Sequence, residues 1–254
     1  RYVNFMNNPD EETAIEQFGD GDKYFGVCTL MATMPGLPMF GHGQVEGFEE
    51  KYGMDFDEPM LDEQPDEGLV ERHRREVFPL LHRRELFSGV ENFLLYDVYT
   101  PEGTVDENVF AYSNRHDGDR SLVVYHNRFG DTRGWIRESL PYRPEGEGAE
   151  IKKTLSEGLE VPDDPNVYLA FRDEISGLEF LRSASEMARQ GMYIELGAYD
   201  THVFLDFREI RDRQGGPYAR LCDRQAGRGD DNLDTELRRM RLDPVHRRAR
   251  RLSN

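Results

Sequence analysis

The sequence has almost no cysteine: Cys28 and Cys222 stand alone and far apart. Their scarcity excludes a disulfide framework and a cysteine metal site, both of which need several thiols at short spacing. Cys28 lies in the apolar stretch VCTLMATM and reads as a small buried hydrophobe, which favours a reducing, cytoplasmic compartment. Long apolar runs are missing too, so no membrane partner is expected. Positive charge is in deficit, with 32 Lys and Arg against 50 Asp and Glu and a net charge of -18. That argues against a nucleic-acid partner, whose phosphates need the reverse imbalance, and leaves room for a neutral substrate such as a sugar. Cofactor and metal signatures are absent as well. GHGQVEG lacks the Gly-Lys-Ser/Thr ending of a phosphate loop, and GDGDKYFG is too short for a calcium loop. His73 and His82, in RHRREVFPLLHRR, have no partners at ligand spacing and read as a solvated helix face.

What is present begins with YVNFMNNPDE. Residues 2–6 have the character of a short strand. Two readings of residues 8–11 stay open. Asn8, Pro9 and Glu11 suit a helix cap, first turn and capping box, which would make Asp10 an acid of the first helical turn. Alternatively, Asp10 stands just past the end of a parallel strand, where barrel enzymes keep catalytic groups. Residues 23–34 predict an apolar helix stopped by Pro35 and Gly36, and LPMF (37–40) a buried strand. Strand, helix and strand with tight turns make the βαβ unit of a parallel sheet. Residues 48–66 read as an acidic surface loop. Residues 67–87 read as a second helix with an apolar stripe of Leu69, Val70, Val77, Leu80 and Leu81, divided at Pro79.

After Gly89 the pattern turns to strands. FLLYDVYT, VFAYSNR and SLVVYHNR alternate partially and are separated by turn clusters. RPEGEGAE (143–150) reads as a linker, and VYLAFRDEISGLEFLRSASEMARQG as a strand then a helix. MYIELGAYDTHVFLDF reads as two strands hinged at Gly197-Ala198. From residue 211 onward the chain is polar and ends in the basic run RRMRLDPVHRRARRLSN, a tail of helical character. The resulting fold class is α/β plus all-β: residues 1–88, then an antiparallel, sandwich-like β domain over 89–210, then the tail over 211–254. Tyr96, Tyr99, Tyr112, Tyr125 and Trp135 offer either a sugar-stacking platform or ordinary cross-strand pairs.

Two segments resemble the α-amylase superfamily of glycoside hydrolases (family 13). FMNNPD is similar to the F-x-x-N-H-D motif of that family's seventh barrel strand, with Phe5, Asn8 and Asp10 on the matching positions. TMPGLPMFGHGQVEG is similar to its T-x-P-G-x-P-x-x-x-x-G-[QE]-E-x-G motif around the eighth strand. There Thr33, Pro35, Gly36, Pro38, Gly43, Gln44 and Gly47 match. Pro9 stands where the family has a sugar-binding His. Val45 stands in place of an acid, with Glu46 one residue later.

The resemblance implies that residues 1–88 are the last two βα units of a (β/α)8 TIM barrel. It implies a retaining mechanism on α-linked glucans, by hydrolysis or transglycosylation. Asp10 would stabilise the transition state. Around the same mouth, Asn8, His42 and Gln44 are the candidate substrate-binding residues, against the plainer readings of Asn8 as a cap or turn residue, His42 as a loop histidine and Gln44 as a brace of the barrel rim. The family's nucleophilic Asp and acid/base Glu lie on earlier strands and have no counterpart in this sequence. The expectation is therefore a chain inactive by itself, with the N-terminal remainder of the barrel as its partner. A non-catalytic carbohydrate-binding module centred on residues 90–210 and a pseudo-enzyme are the alternatives.

Overall fold

The computed structural model describes residues 2–51, 58–144, 146 and 148–252, with residues 243–252 as backbone only. Residue 1, parts of the stretches read from sequence as an acidic loop (52–57) and a polar linker (145 and 147), and residues 253–254 lie outside the described residues.

Strands β1 (Val3–Phe5) and β2 (Leu37–Met39) run parallel, with Val3 opposite Leu37 and Phe5 opposite Met39. Helices α1 (Ala14–Phe18) and α2 (Asp22–Thr33) connect them. Asn4 turns to the other face of the pair, where its Nδ2 donates to the carbonyls of Met34 and Pro35, each at 3.2 Å. Gly36 makes the turn into β2 at φ +123°, and a Cβ there would lie 2.8 Å from the Tyr2 carbonyl oxygen.

The capping reading of Asn8 is corrected. Residues 8–11 form a turn, with the Asn8 side-chain oxygen accepting from the Asp10 N–H at 2.8 Å. The helix opens later, where Thr13 caps it by accepting from Glu16 N–H. Asn tends to bond the backbone two residues on, and here that competes successfully with a cap. Asp10 therefore lies outside any helical turn.

The second helical segment is broken into α3 (Glu67–Arg72), a π-helical turn (His73–Val77), α4 (Phe78–Leu81) and α5 (Arg84–Phe87). The widened turn stands just before Pro79, which has no N–H for the helix ladder and whose ring crowds the preceding turn. The solvated-face reading of this stretch holds for His82 but not for His73, which is fully buried, nor for Glu76. Glu76 is neutralised by Arg72 at 2.9 Å and Arg75 at 2.7 Å.

The β region contains eight strands: β3 (Leu94–Tyr99), β4 (Val109–His116), β5 (Asp119–His126), β6 (Thr132–Ser139), β7 (Val167–Asp173), β8 (Glu179–Ser183), β9 (Met192–Leu196) and β10 (Thr201–Arg211). They form one curled antiparallel sheet in the order β8-β7-β10-β5-β4-β3-β6-β9, not the two packed sheets of a sandwich. Asp117 and Gly118, both at positive φ, make the tight β4–β5 hairpin turn. The segment after β7 is a β7–β8 hairpin before its helix begins. β9 and β10, contiguous in sequence, do not pair with each other. β9 is the edge beyond β6, and β10 lies between β5 and β7.

Two short helices support the sheet: α6 (Leu155–Gly158), opened by a capping box at Thr154 and Glu157, and α7 (Ala184–Gln190). The C-terminal segment is more than a solvated tail. Within it, α8 (Pro217–Gln225) and the start of α9 (Leu233–Leu252) bury Leu221, Leu233 and Leu237 against Tyr168 and Leu181 of the sheet.

One face of the sheet packs on α6, α7 and its own curl. The other shares a core with the N-terminal helices, in which Tyr112, Val123, Val203 and Leu205 meet Tyr24, Phe25, Cys28, Leu80 and Phe87. Gly26 of α2 lets the Tyr125 ring approach, since an added Cβ would fall 2.0 Å from the ring. Among the described residues no helix is long and apolar enough to cross a membrane.

Candidate functional site

Parallel pairing of β1 and β2 brings the loops that follow them to the same end of the strands. A small cleft of about 40 Å³ lies between those loops, lined by Asn7, Asn8, Pro9 and Glu11 from the first and by Gly41, His42, Glu50 and Lys51 from the second. Lys51 ties them together, its Nζ donating to the Asp10 carbonyl oxygen at 3.1 Å. The Asp10 carboxylate is exposed beside this cleft, on a turn fixed by Asn8.

His42 is exposed, its ring tilted against Phe48 at 6.2 Å. Gln44 is buried and does not face the cleft. Its side-chain oxygen accepts from Gly41 N–H at 3.0 Å, its amide lies 3.2 Å from Met6 Sδ, and its carbonyl accepts from the Tyr24 hydroxyl at 2.7 Å. Gln44 holds the rim loop in shape, and the structure sets it behind Asn8 and His42.

Behind the loop, Nδ1 of His73 donates to the Leu69 carbonyl oxygen at 2.9 Å, and Nε2 lies 3.1 Å from the Tyr24 oxygen. A neutral imidazole carries one ring proton, so the single Tyr24 proton is shared between Nε2 and the Gln44 carbonyl. Burial lowers the His73 pKa and keeps the ring neutral, outweighing the opposing pull of the Leu69 carbonyl and of Glu46 and Glu76. Burial also raises the Tyr24 phenol far above its usual range.

Sequence reasoning missed Asn7, Lys51 and this brace. Asn7 is buried against Gly41, and its side-chain oxygen has no hydrogen-bond partner among the described residues. His73 was within reach of pattern reading, since it stands four residues from both Leu69 and Val77 on the buried stripe. Among the described residues no group of three or more His, Cys, Asp or Glu side chains could hold a metal.

No family model matches the sequence, and no curated protein matches it. Solved structures do. An α-amylase from Geobacillus thermoleovorans, complexed with acarbose, superposes with a TM-score of 0.53 at 14% identity, covering 81% of this chain and 38% of that one. A cyclomaltodextrin glucanotransferase with a three-domain ABC distribution covers 82% of this chain and 37% of its own, at 14% identity and a TM-score of 0.49. A maltogenic α-amylase from Thermotoga neapolitana covers 80% of this chain and 40% of its own, at 13% identity and a TM-score of 0.48. This chain thus spans well under half the length of the enzymes it is similar to. Its fold is that of the C-terminal part of an α-amylase.

Proposed function

We propose that this chain supplies the last two βα units and the following β domain of a retaining α-glucan-active glycosidase. The observation that carries the reading is the unfinished parallel pair. Val3, Phe5, Leu37 and Met39 form one apolar face, with Leu37 63% and Val3 50% exposed. Among the described residues each strand has a single pairing neighbour, the other. Parallel sheets are ordinarily covered on both faces, and a lone parallel pair is a poor unit on its own. Further parallel strands would pair with both free edges and bury the apolar face as a barrel interior.

In this reading the loops after β1 and β2 form part of the wall of a sugar-binding mouth. Asp10 contributes negative charge where an oxocarbenium-like transition state develops and accepts hydrogen bonds from sugar hydroxyls. Asn8 fixes the turn that carries it, and His42 contacts substrate from the neighbouring loop. Gln44 positions both loops from behind. The attacking carboxylate and the proton-shuttling acid come from strands outside residues 1–254. By itself the chain is then inactive on starch, since one carboxylate cannot serve as nucleophile and acid together.

The test is a reducing-sugar assay on soluble starch, with the chain alone and with the polypeptide that completes the barrel. Activity is expected only in the completed protein, and Asp10→Asn should lower it on the order of 10²- to 10³-fold with the far-UV spectrum unchanged. Reducing sugar released by the chain alone, or full activity in Asp10→Asn, would overturn the proposal.

A further inference from the structure

A roomier cavity lies away from the strand-end cleft, in the seam of the curled sheet. It has a volume of about 520 Å³, within the range of small-molecule sites, and both edge strands, β8 and β9, contribute to its walls. Its floor is aromatic and apolar, formed by Phe180, Phe204 and Met187. At one side Trp135 and Tyr193 pair across β6 and β9, with ring centroids 4.8 Å apart. Tyr193 is 38% exposed, and its hydroxyl donates to Glu195 at 2.9 Å.

His202 lines the same space and is held from two sides. Its ring stacks on Phe204 at 5.4 Å, and its Nδ1 donates to Asp173 at 2.9 Å. Asp173 is fully buried, and it also accepts from the Ser176 hydroxyl at 2.6 Å and from Val203 N–H at 2.9 Å. Burial alone would raise the Asp173 carboxyl and lower the His202 imidazole, but their mutual hydrogen bond and charge reverse both shifts. An oriented imidazole with Nδ1 committed leaves Nε2 for a ligand. Arg182, also in the lining, is fixed by the carbonyls of Leu181 and Gly227 and packs its guanidinium over Phe180 at 5.5 Å.

The chemistry of this lining is balanced. Donors (Arg182, Arg228, Gln190 and His202) and acceptors (Glu186, Glu195 and Asp223) share the lining with aromatic faces, and neither charge sign dominates. A strongly charged ligand would meet repulsion from one set or the other. A polyhydroxylated neutral ring matches the lining, since each hydroxyl both donates and accepts and its C–H face packs on an aromatic ring.

We propose that the seam is a second saccharide site, non-catalytic and independent of the strand-end cleft, that takes one or two rings of a neutral sugar. It stands whether or not the glycosidase reading does.

Trp135 is the protein's sole tryptophan and lines the cavity, so its fluorescence reports on this site. Titrating the full chain with maltotriose is expected to give a saturable change in Trp135 emission. The midpoint should weaken about tenfold in both Tyr193→Ala and His202→Gln, a loss of about 1.4 kcal/mol, and stay unchanged in Asp10→Ala. Tyr193 is on the surface, so that variant keeps the test valid if His202→Gln does not fold. The proposal is overturned by a flat titration, by wild-type midpoints in both variants, by a shift in Asp10→Ala, or by preference for glucose 6-phosphate over maltotriose.

Discussion

Tyr24 reaches from the first turn of α2 to donate its hydroxyl proton to the carbonyl of Gln44, 2.7 Å away in the loop after β2. Both groups are buried, so the shape of the rim loop depends on a contact that water cannot replace. Tyr24→Phe should lower stability by about 1–3 kcal/mol, the cost of leaving buried polar groups unpaired. A urea midpoint would measure it, and amide exchange at residues 41–47 should quicken more than in the sheet.

The buried imidazole behind that contact makes stability depend on pH. Because burial lowers the His73 pKa, the unfolded chain binds a proton that the folded chain does not, from about pH 6.5 down to the folded value. Stability therefore rises with pH through this window and is lost as pH falls below about 6.5. His202 has the opposite sign, since its folded pKa is raised, and its contribution is full below about pH 6.5 and lost as pH rises through the folded value. In urea melts across pH 5 to 8, His73→Gln should flatten the acid side relative to wild type, and His202→Gln the alkaline side. Identical slopes in all three proteins would contradict both assignments.

Replacing glycine inside a helix with alanine is ordinarily stabilising, by about 0.5–1 kcal/mol. At Gly26 the sign should reverse, because the new methyl would collide with the Tyr125 ring. Gly26→Ala is expected to cost about 1–3 kcal/mol, the usual penalty for overpacking, read as a lower melting temperature.

The apolar face of the β1–β2 pair should make the isolated chain self-associate, since exposed strand edges and apolar patches invite partners. Leu37→Lys, at a largely exposed position, should reduce that association in sedimentation velocity and leave the stability within about 0.5 kcal/mol of wild type.

Local signals were legible in the sequence. Pro35 and Gly36 end α2 where the pattern places the stop, and LPM forms the second parallel strand. The start of α1 was misplaced because Asn8 serves turns and caps alike, and only the backbone conformation separates the two. Non-local choices were hidden. Nothing in MYIELGAYDTHVFLDF says that its halves join opposite regions of one sheet, because strand partners are selected by packing far along the chain. The apolar stripe marks His73 as buried, but the stripe does not reveal its partner, a tyrosine from another helix. Of the strand-end cleft, the two loops could be read, and of the two roles open to Gln44, brace of the rim or substrate contact, the inward-turned side chain fits the brace.

The core that joins the N-terminal helices to the sheet crosses the junction at residue 88 without a break, and the 2.6 Å contact between the hydroxyls of Thr33 and Tyr112 is a polar link within it. Severing the chain there would strip cover from Tyr112, Val123 and Val203 together. The helices and the sheet should accordingly melt as a single cooperative unit, and an excised β region is expected to come apart or clump before it could be tested for a role of its own.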